Sequence, residues 1–294
     1  MDIRILRYFL TVAREGSITR AAEQLHMTQP PLSRQLKDLE DELGKQLFIR
    51  GSKRITLTRE GQLLRKRAEE MVELMEKTKA EITASDESVI GDIYIGAGQT
   101  DAMRIVATVM DSIRKTNPGI HIQLYSGNAE QVTERLDKGL LDFGIVIEPA
   151  DITKYDSFKL PLTDAWGLLM HQHNPLAVKD GISPDELKSE PLFCSRQMME
   201  GNGLSGWLGY DAGKLNVIGQ YDLIFNAALM VEEGLGSALT LDKLCNTGMD
   251  SKLRFVPLKP RLEVSLDVIW KKYQVFSSAA ALFLNRIQET VACV

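Results

Sequence analysis

The sequence predicts an α/β chain in two parts, a small helical head and a larger body of alternating strands and helices. Three observations predict it. Apolar side chains recur at helical spacing through residues 1–45. One long helical pattern without proline then runs from about Thr58 to Ala84. After Gly91 the period changes, and short apolar runs alternate with amphipathic segments, the pattern of parallel β/α units. A chain of 294 residues suffices for about two or three domains. Its 44% hydrophobic and 26% charged content carries no signature of disorder.

Charge is unevenly placed. The net charge of −5 argues against indiscriminate binding to nucleic acid. Residues 1–60, however, hold 11 Lys/Arg against 8 Asp/Glu, a balance of +3, and the remainder holds 24 against 32, a balance of −8. A basic head on an acidic body suits contact with phosphate at one end only. Cys194, Cys245 and Cys293 are odd in number and far apart, with neither metal-ligand spacing nor a disulfide framework. Reduced cytosolic thiols are the expectation, with a redox pair as the alternative. The first residues open an amphipathic helix and not a secretory segment, and no apolar run nears the ~20 residues that span a bilayer. The expected compartment is the cytoplasm, with no membrane contact.

In the head, Ile3, Leu6, Phe9, Leu10 and Ala13 bury one face of the first helix, and Gly16 ends it. Ser17 is a good cap for the second helix. Ala21 and Ala22 are small enough for two helices to cross closely, and Leu25 and Met27 face the core. Thr28 is expected to cap a third helix, with Pro30 and Pro31 in its first turn, where missing N–H groups cost little. Leu32, Leu36, Leu39 and Leu43 form its buried stripe. Thr28, Gln29 and Pro30 lie near its tip, and Ser33, Arg34 and Lys37 lie on the other side. A helix presented N-terminus first can place Gln or Arg against base edges. The stretch Leu47–Thr58 reads as a hairpin whose tip, Gly51-Ser52, is flanked by Arg50, Lys53 and Arg54. Such a wing can reach a phosphate or the minor groove. Taken alone, the third helix reads equally well as a solvated surface helix. The double alanine, the Thr-Gln start, the leucine stripe and the basic wing together point to a helix-turn-helix reader of double-stranded DNA.

The pattern Phe9, Ala21-Ala22, Leu25, Gln29-Pro30, Leu32-Ser33, Leu36, Leu39-Glu40, Leu43-Gly44, Leu47-Phe48, Arg50, Leu57-Thr58 and Gly61 resembles the winged helix-turn-helix of LysR-type transcriptional regulators. The match is dense over residues 1–65, and the length and layout agree over the whole chain. Pro31 departs from the pattern, since a small residue is more usual there. In the helix that follows, Leu64, Met71 and Thr78 recur every seven residues, as do Ala68, Met75 and Ile82, and charges flank both rows. The seam Leu64, Ala68, Met71, Met75 and Ile82 prefers a partner helix, and packing on its own domain is the alternative. The resemblance implies a linker helix that pairs antiparallel with that of a second subunit, giving a homodimer or homotetramer. Ser85–Ser88 reads as a hinge. The expected divisions are a winged helix-turn-helix over 1–58, a dimerising linker and hinge over 59–87, and a regulatory domain over 88–294. Within the last, lobe I takes about 88–162 and 267–294, and lobe II about 163–266.

In the body, strands are expected at 92–95, 120–125, 143–147, 167–171, 192–194, 217–219, 236–239 and 264–270. Helices are expected at 101–115, 128–138, 184–187, 222–233 and 276–291. Two α/β units suggest two lobes with a cleft between them, and the resemblance implies the fold of periplasmic binding proteins. In open α/β sheets ligands sit beyond the carboxyl ends of strands. That rule selects Gln99, Thr100, Asp101, Ser126, Asn128, Ile147 and Glu148 on one side and Ser195, Arg196 and Gln197 across the cleft. Arg196 and free N–H groups favour a carboxylate, whereas Asp101 and Glu148 favour an amine or polyol. Each acid reads equally as a helix cap or a solvated loop residue. Proline is usual in the family soon after the Thr100 position, and Ile105-Val106 stands there here.

Other local signals lack context. Asp142-Phe143-Gly144 spells a kinase motif inside an apolar strand, without its lysine or catalytic loop. Gly96-x-Gly98 lacks the third glycine of a dinucleotide loop. His171 and His173 share a strand face but precede a solvated Asn174-Pro175 turn. No nucleophile, metal or cofactor constellation is present, so no cofactor or catalytic residue is expected. The expected function is sequence-specific regulation of transcription, modulated by a small-molecule effector between the lobes, with RNA polymerase as a further partner. The alternatives are a stand-alone ligand-binding protein on the same lobes and an enzyme.

Overall fold

The computed structural model describes residues 1–51, 54–83, 89–200 and 202–292. Lys53, the hinge at 85–88 and Cys293 lie outside the described residues, as does the side chain of Arg50. Contacts divide the chain into two compact units, Met1–Thr83 and Ala84–Val294.

The first unit comprises α1 (Ile3–Glu15), α2 (Ile18–Gln24), α3 (Gln29–Leu43), β1 (Phe48–Arg50), β2 (Ile55–Leu57) and α4 (Arg59–Thr83). Leu6, Phe9, Val12, Ala21, Ala22, Leu32, Leu36, Leu39, Leu47, Phe48 and Ala68 form its core. The Phe9 and Phe48 rings meet at 5.2 Å, which ties α1 to the hairpin. Gly16 ends α1 at φ 59°, a left-handed position that glycine fills without strain. The Ser17 hydroxyl accepts the Arg20 N–H at 3.4 Å and so caps α2. Thr28 holds the N-cap position of α3, yet its side chain accepts no hydrogen bond from the helix. A capping oxygen takes the N–H of the second or third helical residue. Those residues are Pro30 and Pro31, which have none. The stripe also ends one turn early. Leu43 is exposed, because α3 runs past the core that buries Leu32, Leu36 and Leu39.

The second unit begins with β3 (Gly91–Ala97), α5 (Met103–Thr116), β4 (Ile120–Ser126), α6 (Ala129–Asp137), β5 (Phe143–Ile147) and β6 (Tyr155–His171). It continues with α7 (Pro184–Leu187), β7 (Leu192–Ser195), α8 (Arg196–Glu200), α9 (Asn202–Leu208), β8 (Val217–Tyr221) and α10 (Ile224–Glu232). It closes with β9 (Ser237–Leu241), β10 (Leu253–Pro257), β11 (Glu263–Lys271) and α11 (Ser278–Ala292). The strand order is β4-β3-β5-β11-β6-β9-β7-β8, with β10 also on β6. Pairing is parallel for β3 with β4 and β5, and for β7 with β8 and β9. The antiparallel strands β6 and β11 join the two sets.

The 17-residue β6 makes two lobes from one sheet path. Its first part, to Ala165, pairs with β11, and its second part pairs with β9 and β10. One core gathers Ile93, Ile95, Phe143, Ile145, Val268 and Phe283. The other gathers Leu168, Met170, Leu192, Leu239 and Val256. The register of β6 on β11 shifts between Ser265 and Asp267, opposite the segment that holds Pro161. A proline, which cannot donate to a ladder, is tolerated at such an irregularity.

Candidate nucleic-acid interface and ligand cleft

The α3 helix places Leu32, Leu36 and Leu39 on its buried side and Pro30, Arg34 and Lys37 on its exposed side. Thr28 and Gln29 are also exposed at its tip, and Ser33 is half-buried beside Arg34. Arg4, Arg7 and Arg14 are held in ion pairs with Asp2, Glu76 and Glu15. Among the described residues no acid pairs with Arg34 or Lys37. From Asp38 onward α3 carries only acids among its charges, Asp38, Glu40, Asp41 and Glu42, so the cationic surface ends at Lys37. The two prolines also thin out the free N–H groups at this tip, which reduces what the backbone itself can offer a phosphate.

The wing is fixed to the reader by named bonds. The β1 and β2 strands pair antiparallel, Ile49 opposite Thr56. The Glu40 carboxylate of α3 accepts the Leu47 and Phe48 N–H groups at 2.7 and 3.1 Å. The Ile55 N–H donates to the Gly16 carbonyl at 2.9 Å, and the Arg54 side chain lies against Gly16. Thr58 donates its hydroxyl to the Gln46 carbonyl at 2.7 Å and accepts the Gly61 N–H at 3.0 Å. The α4 helix therefore starts from the root of the wing. Along α4, Ala68 is buried and Leu64 packs on the head's own core, whereas Met71 and Ile82 are exposed, with Leu63 and Leu74. Met75 is half-buried.

In the second unit a cavity open to solvent lies between the lobes. Gln99, Asn128, Ile147, Glu148, Ser195, Arg196 and Gln197 all line it. Thr100, Asp101 and Ser126 do not. They line a separate depression beside α5. The Thr100 hydroxyl is buried, donates to Asp164 Oδ2 at 2.5 Å and accepts the Ala102 N–H at 3.0 Å. Asp101 pairs with Arg104 at 2.7 Å and with Lys243 at 3.4 Å. Thr100 and Asp101 are already committed within the fold.

The cleft's own charges are likewise paired. Glu148 meets Lys159 at 2.9 Å, and Arg196 meets Asp222 at 3.2 Å. Asn128 caps α6 by accepting the Gln131 N–H, and the Ser195 hydroxyl accepts the Met198 N–H. The remaining wall is mostly apolar: Trp166, Met198, Leu204, Leu241, Leu262 and Val264. Tyr221 also lines it, donates its hydroxyl to the Leu239 carbonyl at 2.7 Å, and is held neutral by burial. Sequence reasoning missed these apolar residues because strand-end Leu, Val and Trp read as core. All six belong to the second core or pack against it, and no local pattern marks the faces that they turn to the cavity. Burial pushes the Cys194 thiol up to about 12, so it stays protonated. His171 and His173 rings lie 4.9 Å apart, and among the described residues no third metal ligand joins them.

Comparison with known proteins gives a consistent picture. Residues 3–62 match the model of the bacterial regulatory helix-turn-helix protein of the lysR family, and residues 86–292 match the LysR substrate binding domain. The uncharacterized HTH-type transcriptional regulator YwbI of Bacillus subtilis (strain 168) is 30% identical over 97% of this chain and 95% of its own. The HTH-type transcriptional regulator BsdA of the same organism is 40% identical over 74% of each chain. The crystal structure of CbnR, a LysR family transcriptional regulator, superposes with a TM-score of 0.79 at 19% identity, covering 99% of both chains. Full-length CbnR complexed with its target DNA gives 0.78 at 20% identity, over 99% of this chain and 100% of that one.

Proposed function

The chain belongs to the LysR family of bacterial transcriptional regulators, and from that premise we propose how its parts serve regulation. The part of α3 from its tip to Lys37 enters the major groove. Thr28, Gln29, Pro30, Ser33, Arg34 and Lys37 approach base edges and flanking phosphates, and Arg50, Lys53 and Arg54 of the wing reach the backbone or minor groove. The observation that carries this reading is the leucine-backed helix whose opposite face leaves Arg34 and Lys37 exposed and unpaired by any described acid.

Two readers are placed on one DNA by pairing of α4 with a second copy, as a homodimer or homotetramer. The effector is a small molecule that enters the interlobe cleft. Its differential affinity for two cleft geometries shifts the relative placement of the readers. RNA polymerase is the further partner at the promoter. The protein works in the cytoplasm and has no catalytic role. Among the described residues no helix is long and apolar enough to cross a membrane.

A gel-shift titration with DNA from upstream of the protein's own locus tests the reader. The native chain should bind specifically. Arg34→Ala should weaken specific binding by about 1–3 kcal/mol while leaving nonspecific binding nearly intact. An unchanged affinity and footprint would remove Arg34 from base readout. Thermal-shift screening of the full chain against metabolites tests the cleft, because a tight ligand raises stability by mass action.

A further inference from the structure

Two glutamines cross the cleft in opposite directions. Gln99 follows β3 in the first lobe, and its Oε1 accepts the N–H of Ile224 in the second lobe at 2.7 Å. Gln197 follows β7 in the second lobe, and its Oε1 accepts the N–H of Ala129 in the first lobe at 3.4 Å. The same Gln197 amide donates through Nε2 to the Ile147 carbonyl at 3.0 Å. Ile224 is the first residue of α10 and Ala129 the first residue of α6. Helix starts leave N–H groups that need acceptors from outside the helix. Leu223, at the N-cap of α10, supplies no side-chain acceptor, and the oxygen comes instead from across the cleft. Asn128 and Gln131 satisfy each other at the start of α6 and leave the Ala129 N–H to Gln197.

We infer that Gln99 and Gln197 form a reciprocal latch that holds the two lobes together. The inference rests on the reading of this cleft as the effector site. Both amides line the cavity, which puts them within reach of a molecule that fills it. A ligand that takes over these contacts replaces an internal bridge with an external one, and the latch biases the lobes toward closure.

The two positions differ chemically, which makes the latch testable with one substitution type. At Gln99 only an acceptor is used, so Gln99→Glu keeps the bond and adds a charge that the α10 N-terminus favours. At Gln197 both a donor and an acceptor are used. Gln197→Glu loses the donor and sets a carboxylate oxygen against the Ile147 carbonyl. Amide hydrogen exchange on the full ligand-free chain reads the Ile224 and Ala129 N–H groups directly. Gln197→Glu should speed exchange at Ala129 about five- to tenfold, the loss of roughly one net hydrogen bond. Gln99→Ala should do the same at Ile224, and Gln99→Glu should leave Ile224 as slow as in the native chain or slower.

Circular dichroism of each variant shows that it is folded, and exchange in the β3 and β7 strands serves as the internal reference. The latch is overturned if Gln197→Glu leaves Ala129 unchanged, or if Gln99→Glu speeds Ile224 as much as Gln99→Ala does. The effector reading stands or falls separately. It fails if no metabolite shifts the melting of the native chain, whatever the exchange rates show.

Discussion

Thr100 shows how a side chain chosen for ligand binding becomes part of the frame. Its hydroxyl donates to Asp164, which β6 carries 64 residues further on. Burial raises the Asp164 carboxyl above the usual range. The Thr100 bond lowers it, Asp101 and Asp242 raise it, and Lys243 lowers it. For a carboxyl raised by folding, the favourable contribution is complete below its unfolded value and is lost as pH climbs through the folded one. Asp164→Asn keeps an acceptor for Thr100 and removes the charge. The variant should therefore gain Tm on the native chain between pH 4 and pH 8, and a difference in Tm that stayed constant with pH would refute this assignment. Thr100→Val strips the carboxyl of its donor and should cost about 1–3 kcal/mol, most visibly at the higher pH. The sequence could place Thr100 at a strand's carboxyl end, but not the acid that claims it. That acid belongs to the crossing strand, and no local pattern links the two.

Among elements, the wing illustrates dependence on buried backbone contacts. The α3 and β1 elements are joined through the Glu40 carboxylate, and β1 and α4 approach so closely at Gly61 that a Cβ there would sit 2.2 Å from the Leu47 carbonyl oxygen. Glu40→Ala leaves two N–H groups without their acceptor and should destabilise the head by about 1–3 kcal/mol, with Glu40→Gln losing less. Gly61→Ala must push α4 off the root of the wing. Its DNA affinity should fall even though no DNA-facing side chain has changed, and a native-like gel shift for Gly61→Ala would show that the wing's seat is not needed for reading. The hairpin, the three head helices and most body strands were legible because each follows a local period or a glycine. Of the long β6 only 167–171 was expected, and the rest holds Pro161, which a ladder tolerates at the irregular register found opposite it. The β10 strand was missed for a related reason: its run is short and ends on Pro257.

On the scale of the whole molecule, α4 divides its apolar residues between two tasks. The seven-residue rows predicted one seam. Leu64 and Ala68 instead serve the head's core, and Leu63, Met71, Leu74 and Ile82 are left exposed on this 25-residue helix. The ambiguity is physical, because a seam facing a partner and a stripe facing the helix's own domain share the same period. A helix about 37 Å long with apolar side chains in water gains from a partner that covers them, and in the proposed pairing that partner is a second copy. Charge introduced at Met71 and Ile82 should therefore act on assembly and leave folding of the head intact. The double variant Met71→Glu, Ile82→Glu should sediment at lower mass than the native chain. It should lose affinity for a site with two half-sites at one-turn spacing, yet keep its affinity for a single half-site, where one reader suffices. Unchanged mass and unchanged two-site affinity would place the subunit contact elsewhere. Weakened binding to the single half-site as well would mean that α4 supports the reader directly and does not pair two of them.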